Sequence, residues 1–291
     1  MSALTASEVT IRPATAEDIP ACAEICFQAF RTINESHGFP PDFPVPEAAA
    51  GVLTAMFTNP NFYCVVAEIE GRAVGSNCMD ERSVIFGIGP ITVDPAAQNR
   101  GVGRKLMQAA LDRATEQRAA GVRLVQAAFH TRSLSLYAGL GFQVREPLAC
   151  MQGTTKMREI PGCKVRAAHG SDAEACLDLC TRVHGFARRG ELHAALHEST
   201  AVVVERGGRV TGYATALAFM AHAVGETNTD LQALIASAES FGGPGILIPI
   251  RNSGLFQWCL ASGLRVTQPL TLMSLGLYNE PAGAFLPSIL F

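Results

Sequence analysis

The chain has 291 residues, 17% of them charged, and a formal net charge of −3. That length holds one large domain or two modest ones, and the near-neutral balance gives no footing for a nucleic-acid or membrane surface, leaving a small soluble partner as the expectation. Residues 1–10 lack a leader pattern and no run of about 18 apolar residues occurs, which predicts a cytoplasmic protein; nine cysteines without a CxxC pair suit reduced, packed thiols rather than a disulfide framework.

In chain order, the first half reads as a strand at Ile11-Arg12, a helix opened by Asp18, a Pro-rich loop over 38–46 and a second helix. A strand pair turning at Gly71 follows, then a strand over 86–93, a helix from about Gly101, a strand over 123–128, a helix over 133–139 and a closing strand. This pattern is α+β, a sheet covered by helices. The second half repeats it. Ile11-Arg12, Ala14, Asp18, Ala21, Cys22 and Cys26 recur at constant spacing as Val165-Arg166, Ala168, Asp172, Ala175, Cys176 and Cys180. Gly71-Arg72-Ala73-Val74-Gly75 returns as Gly208-Arg209-Val210-Thr211-Gly212, and Gly141-Phe142-Gln143-Val144 as Gly263-Leu264-Arg265-Val266. The polar connector 152–164, with Pro161-Gly162, predicts two tandem domains, 1–155 and 163–291.

The segment from Gly89 to Met107 is the most informative. Its apolar strand stops at Asp94-Pro95, and a helix begins on Gly101 and Gly103 with Leu106, Ala110, Leu111 and Ala114 on one face. A glycine-rich helix start offers unpaired N–H groups and the positive end of the helix dipole to one anion, without side chains in the way. Arg104 and Lys105 add positive charge. There is no GxxxxGK[ST], and Leu106 breaks GxGxxG, so neither a nucleoside-triphosphate cradle nor a dinucleotide fingerprint is encoded.

Downstream, His130-Thr-Arg-Ser-Leu-Ser-Leu-Tyr-Ala-Gly-Leu-Gly-Phe sets a short helix after an apolar strand. With this second motif, residues 9–151 resemble the GCN5-related N-acetyltransferase (GNAT) family. The first signature falls on Gln98-Asn99-Arg100-Gly101-Val102-Gly103, and the second on Ser133, Leu136, Tyr137, Gly141 and Phe142, with His130 where Asn is usual. The resemblance implies two tandem GNAT-like domains, each a mixed, mostly antiparallel sheet flanked by helices. It also implies acetyl-CoA as co-substrate and direct acetyl transfer in a ternary complex. Cofactor contacts are then expected from Ile91, Thr92, Val93, Gln98, Asn99, Arg100, Gly101, Val102, Gly103, Arg104, His130 and Ser133. The Val93 N–H is the candidate for polarising the thioester carbonyl, and Tyr137 the candidate acid for the leaving thiolate.

The family's usual strand glutamate is missing, because that position is Gly87. In its place Glu81, of the pair Asp80-Glu81, is the candidate base, unless the substrate arrives deprotonated. Phe30, Asn34 and His37, around the Pro-rich loop, are the expected substrate contacts.

The second half keeps the strands and loses the chemistry. Its phosphate-loop counterpart runs Gly225-Glu-Thr-Asn-Thr-Asp, placing carboxylates at a helix start, and Cys259 stands for Tyr137, although Asn252 fills the place of His130. It reads as a degenerate copy. Cys176, Cys180 and His184 share a helix face without a fourth ligand, so a packed face is expected and no metal. The apolar segment 281–291 is expected to dock. The expected function is acetyl transfer to the amine of a small-molecule acceptor, by a monomer or a homodimer. The alternatives are transfer of a longer acyl group and an acyl-CoA-binding sensor.

Overall fold

The computed structural model describes residues 8–156 and 159–290. It holds two compact units, one built from residues up to 81 with 86–122, the other from 82–85 with 123 onward. The first unit contains Val9–Pro13 (β1), Ile19–Ser36 (α1), Pro46–Phe57 (α2), Phe62–Ile69 (β2), Arg72–Asp80 (β3), Ile85–Val93 (β4, in this unit from Phe86) and Val102–Glu116 (α3). Its strands lie in the order β1-β2-β3-β4 with antiparallel neighbours. The β2–β3 turn is made by Glu70 and Gly71, both with positive φ (52° and 73°), a two-residue geometry that matches the strand twist.

Helix α3 forms because Val102, Leu106, Met107, Ala110 and Ala114 repeat at helical spacing and are all buried. Val102 and Leu106 pack in one cluster with Val65, Ala67 and Val74 of the sheet. Two residues set how close the helix comes. A Cβ on Gly75 would sit 2.5 Å from the Thr92 carbonyl oxygen and 3.3 Å from Leu106 Cδ1, so only glycine fits. The Asn77 amide donates to the Leu106 carbonyl at 3.2 Å and ties α3 to β3.

The second unit contains Gly121–Ala127 (β5, in this unit from Arg123), Thr131–Gly139 (α4), Gln143–Gln152 (β6), Lys164–Ala167 (β7), Ala173–His184 (α5) and Arg189–His197 (α6). It continues with Val202–Arg206 (β8), Arg209–Ala214 (β9), Ala223–Gly225 (β10), Asn228–Ser237 (α7), Ile246–Pro249 (β11), Ser253–Ala261 (α8), Arg265–Gly276 (β12) and Ala284–Leu286 (β13). One sheet runs β13-β10-β9-β8-β7, and strands β5-β12-β6-β11 follow one another in another. The C-terminal segment docks through β13, which pairs with β10; Phe291 lies outside the described residues.

The closing strands are exchanged. β6, last strand of the first repeat, pairs with β11 and β12 of the second, and β12 lies between β5 and β6. Each repeat therefore hands its last strand to the other, and the compact units do not follow the repeat boundary in the connector.

The repeat itself is visible in side chains. Arg12 on β1 donates to Asp18 (2.7 Å) and Glu68 (2.7 Å), and Arg166 on β7 donates to Asp172 (2.7 Å) and Glu205 (2.6 Å). In both, the aspartate accepts a backbone N–H three residues earlier, from Thr15 and His169 at 2.8 Å. These bonds, Arg12 and Arg166 first among them, hold both aspartates down at about 2. A depressed carboxyl contributes stability that is present above its unfolded value near 3.9 and lost as pH falls through the folded value. Asp18→Asn and Asp172→Asn should each cost about 1–2 kcal/mol at pH 7, after discounting for solvent around the arginines. In urea melts that difference should shrink from about pH 4 downward and close near pH 2.

Candidate active site

At the start of α3 the turn is built from alternating backbone signs. Asn99 (φ 65°) and Gly101 (φ 80°) are left-handed, a conformation Asn tolerates and Gly adopts freely. The first α3 bond runs from the Lys105 N–H to the Gly101 carbonyl, so the N–H groups of Val102, Gly103 and Arg104 have no acceptor inside the helix. No atom lies within 4 Å of a Cβ built on Gly101. Arg100 and Arg104 are exposed beside this opening. Lys105 is not available to it, because its ammonium donates to the Val9 carbonyl at 2.7 Å.

The backbone groups of β4 alternate in direction along the strand. The Asp94 N–H donates to the Val74 carbonyl, which makes Val74/Asp94 a bonded pair, and the register then makes Ser76/Thr92 bonded and Gly75/Val93 and Asn77/Ile91 non-bonded. The N–H and C=O groups of Ile91 and Val93 thus point away from β3. Those of Thr92 point at β3, and its side chain is buried, so of the three expected contacts Thr92 is turned inward. Gln98 reaches to 3.5 Å from the Val93 carbonyl. Gly89 and Pro90 together oppose Cys78 alone, forming a β-bulge. That bulge was not read from the sequence, though a Gly-Pro pair inside an apolar run is its usual mark.

In the second unit, α4 carries the other expected group. Tyr137 is 5% exposed, and burial pushes its hydroxyl up to about 12, partly offset by a hydrogen bond from Ser133. Ser133 Oγ lies 2.7 Å from His130 Nδ1. The Tyr137 ring packs against Phe142 at 6.2 Å.

Glu81 has a different setting from the one expected of a base. Arg113 of α3 donates to both its carboxylate oxygens, at 2.8 and 3.0 Å, and stacks over Tyr63. Asp80 is buried and stands directly opposite Gly87 in the β3–β4 register, on the same face as the missing glutamate would be. Among the substrate candidates, Asn34 is buried and donates to the Pro40 carbonyl (3.1 Å), bracing the loop, while Phe30 meets Phe43 edge-on at 5.7 Å. His37 is exposed at the end of α1 with Nδ1 at 2.9 Å from the Ile33 carbonyl.

The counterpart positions of the second repeat are filled from within. Asp230 accepts from Thr227 N (2.9 Å), Thr227 Oγ1 (2.8 Å), Thr211 Oγ1 (2.6 Å) and Arg206, so a carboxylate occupies the start of α7. Asn252 caps α8 through the Leu255 N–H, and Cys259 is a buried thiol pushed up to about 12 by burial. Cys176, Cys180 and His184 are buried on α5. Among the described residues, no helix is long and apolar enough to cross a membrane.

Residues 27–142 match the acetyltransferase (GNAT) family, a family of acyltransferases that move an acyl group from an acyl-CoA to an acceptor. Comparison with curated proteins gives no match. A Pyrococcus horikoshii protein assigned as an acetyltransferase has a TM-score of 0.72 at 17% identity, covering 98% of this chain and 96% of its own. A GCN5-related N-acetyltransferase from Sphaerobacter thermophilus has a TM-score of 0.61 at 15% identity, covering 94% and 96%. At these identities the likeness is one of fold, and it extends over both repeats.

The Arg113 pairing generates an expected outcome. Glu81→Gln should change kcat by less than about tenfold, below the range of a positioned acid or base, while lowering thermal stability. A loss of about a hundredfold or more, with one limb of the pH–rate profile gone, would restore Glu81 as the base.

Proposed function

We propose that the chain transfers an acetyl group from acetyl-CoA to the amine of a small-molecule acceptor by direct attack. The observation that carries this reading is the unobstructed, left-handed Gly101 start of α3, with free N–H groups at Val102, Gly103 and Arg104. Three such groups on a helix dipole suit a pyrophosphate, with Arg100 and Arg104 as outer charges. The N–H and C=O groups of Ile91 and Val93, turned away from β3, suit pantetheine, whose amides need strand-like partners, and the Val93 N–H suits the developing oxyanion. Tyr137, a neutral phenol held well above physiological pH, is suited to giving its proton to the departing thiolate.

The base assignment moves from Glu81, which is committed to Arg113, to Asp80 opposite Gly87. Phe30 and His37 are proposed to face the acceptor, with Asn34 bracing their loop. We assign residues 1–155 as the catalytic repeat, active in the cytoplasm, and 163–291 as a degenerate copy that binds no CoA, because Asp230, held by the N–H and hydroxyl of Thr227, places a carboxylate at its helix start.

Titration calorimetry should accordingly give one CoA per chain, and two equivalent sites would overturn the degenerate-copy assignment. Gly103→Asp places a carboxylate against the pyrophosphate and should abolish binding. At about a hundred times its dissociation constant, CoA should stabilise the wild type by about 2.7 kcal/mol and the variant not at all. Normal CoA binding by Gly103→Asp would remove the loop from the site.

Tyr137→Phe keeps the ring and its packing. It should fold and bind acetyl-CoA normally yet lose about a hundredfold in single-turnover rate, the low end for a general acid because a thiolate leaves readily. An unchanged rate would return Tyr137 to a packing role.

A further inference from the structure

We propose that Cys64 and Cys78 are an oxidation site, a cross-strand dithiol in the first repeat that hydrogen peroxide closes to a disulfide.

The two cysteines stand directly opposite each other on β2 and β3. The flanking bonds show which kind of opposed pair they form. The Ala14 N–H donates to the Cys64 carbonyl at 2.9 Å, and the Glu81 N–H donates to the Asn61 carbonyl at 3.0 Å. Cys64 therefore turns its backbone groups to β1, the odd-numbered residues of β3 beside Cys78 bond to β2, and Cys64/Cys78 is a non-bonded pair. In such a pair the Cα atoms come to about 4.5 Å and both side chains leave the same face, inside the range of about 4.4–6.8 Å that a disulfide spans. Closure needs no change of register.

Alternation also fixes the face. Gly75 and Asn77 meet Leu106 of α3, so Cys78 lies on the other side of β3, the side on which α1 buries Cys22 and Cys26. Cys78, Cys22 and Cys26 are sealed at 0% exposure, and Cys64 is 9% exposed. Burial pushes Cys22 up to about 11, Cys26 up to about 12 and Cys78 well above its ordinary value, so none of the three offers a ready thiolate.

The order of events follows from exposure. The Cys64 sulfur takes one oxygen from peroxide, giving a sulfenic acid and one water. The Cys78 sulfur then displaces the hydroxyl group, which leaves with the Cys78 proton as a second water. Two electrons pass from the two sulfurs to peroxide.

Packing alone does not account for the pair. The second repeat has the helix cysteines, as Cys176 and Cys180, without the opposed ones. Ala201 stands for Cys64, its carbonyl accepting from the Ala168 N–H at 2.9 Å, and Thr215 stands for Cys78, three residues after Gly212 as Cys78 is after Gly75. The same frame is thus built with an alanine and a threonine there.

The test treats the full chain carrying Cys163→Ser, which removes a half-buried thiol, with hydrogen peroxide, then alkylates, digests without reduction and maps peptides by mass spectrometry. The expected result is a peptide linking Cys64 to Cys78, with Tm raised by a few degrees and returned to its starting value by a reductant. Cys78→Ala removes the resolving thiol and should leave a sulfenic acid on Cys64, trapped by dimedone. Should that variant fail to fold, the linkage map decides alone. Retention of both thiols, a link from either cysteine to Cys22 or Cys26, or a link that appears only once the chain has unfolded would each overturn the proposal.

Discussion

Backbone N–H groups at a helix start must find acceptors, and on α3 no other backbone group among the described residues supplies one. The first intrahelical bond reaches back only to Gly101, leaving the amides of Val102, Gly103 and Arg104 for something outside the chain. Everything nearby serves to hold that opening in place. Gly75 lets β3 approach β4 and α3, the Asn77 amide grips the Leu106 carbonyl, and the buried face from Val102 to Ala114 locks the helix on the sheet. The same glycine conformation that exposes the amides at Gly101 would be strained for any side chain.

The second repeat places a carboxylate at the corresponding helix start. Asp230 accepts from the N–H and hydroxyl of Thr227, just before α7, and is anchored by Thr211 and Arg206, while Glu226 pairs with Arg209. A carboxylate so bonded is a resident anion, and a pyrophosphate would have to displace it at the cost of an unpaired buried charge. Meanwhile the structural networks persist. The Arg12–Asp18–Glu68 cluster and its counterpart Arg166–Asp172–Glu205 join first strand, helix cap and second strand in both copies with nearly the same distances.

Much of the fold and the glycine turn before α3 was legible in the chain because those features are local. Hydrophobic period, turn glycines and the spacing of Gly101 and Gly103 lie within a few residues of one another, and a repeat exposes itself by constant spacing. The pairing of Glu81 was not legible because its partner, Arg113, lies a whole helix away and no local pattern joins them. Thr92 was grouped with Ile91 and Val93 because sequence shows three consecutive apolar-strand residues. Only the register with β3 shows that alternate ones turn inward.

The sequence by itself determined the element order, the repeat, the helix that opens on glycine and the identity of the ionisable groups, since each follows from neighbours along the chain. Tertiary structure decided which strand closes which sheet. β6 and β12, of 10 and 12 residues, are both largely apolar, and pairing is chosen by cross-strand contacts between residues more than a hundred positions apart, such as Leu148 with Leu270. It also decided that Ser133 meets His130 at 2.7 Å and that Tyr137 is buried, because distance and burial are set by packing that no motif encodes.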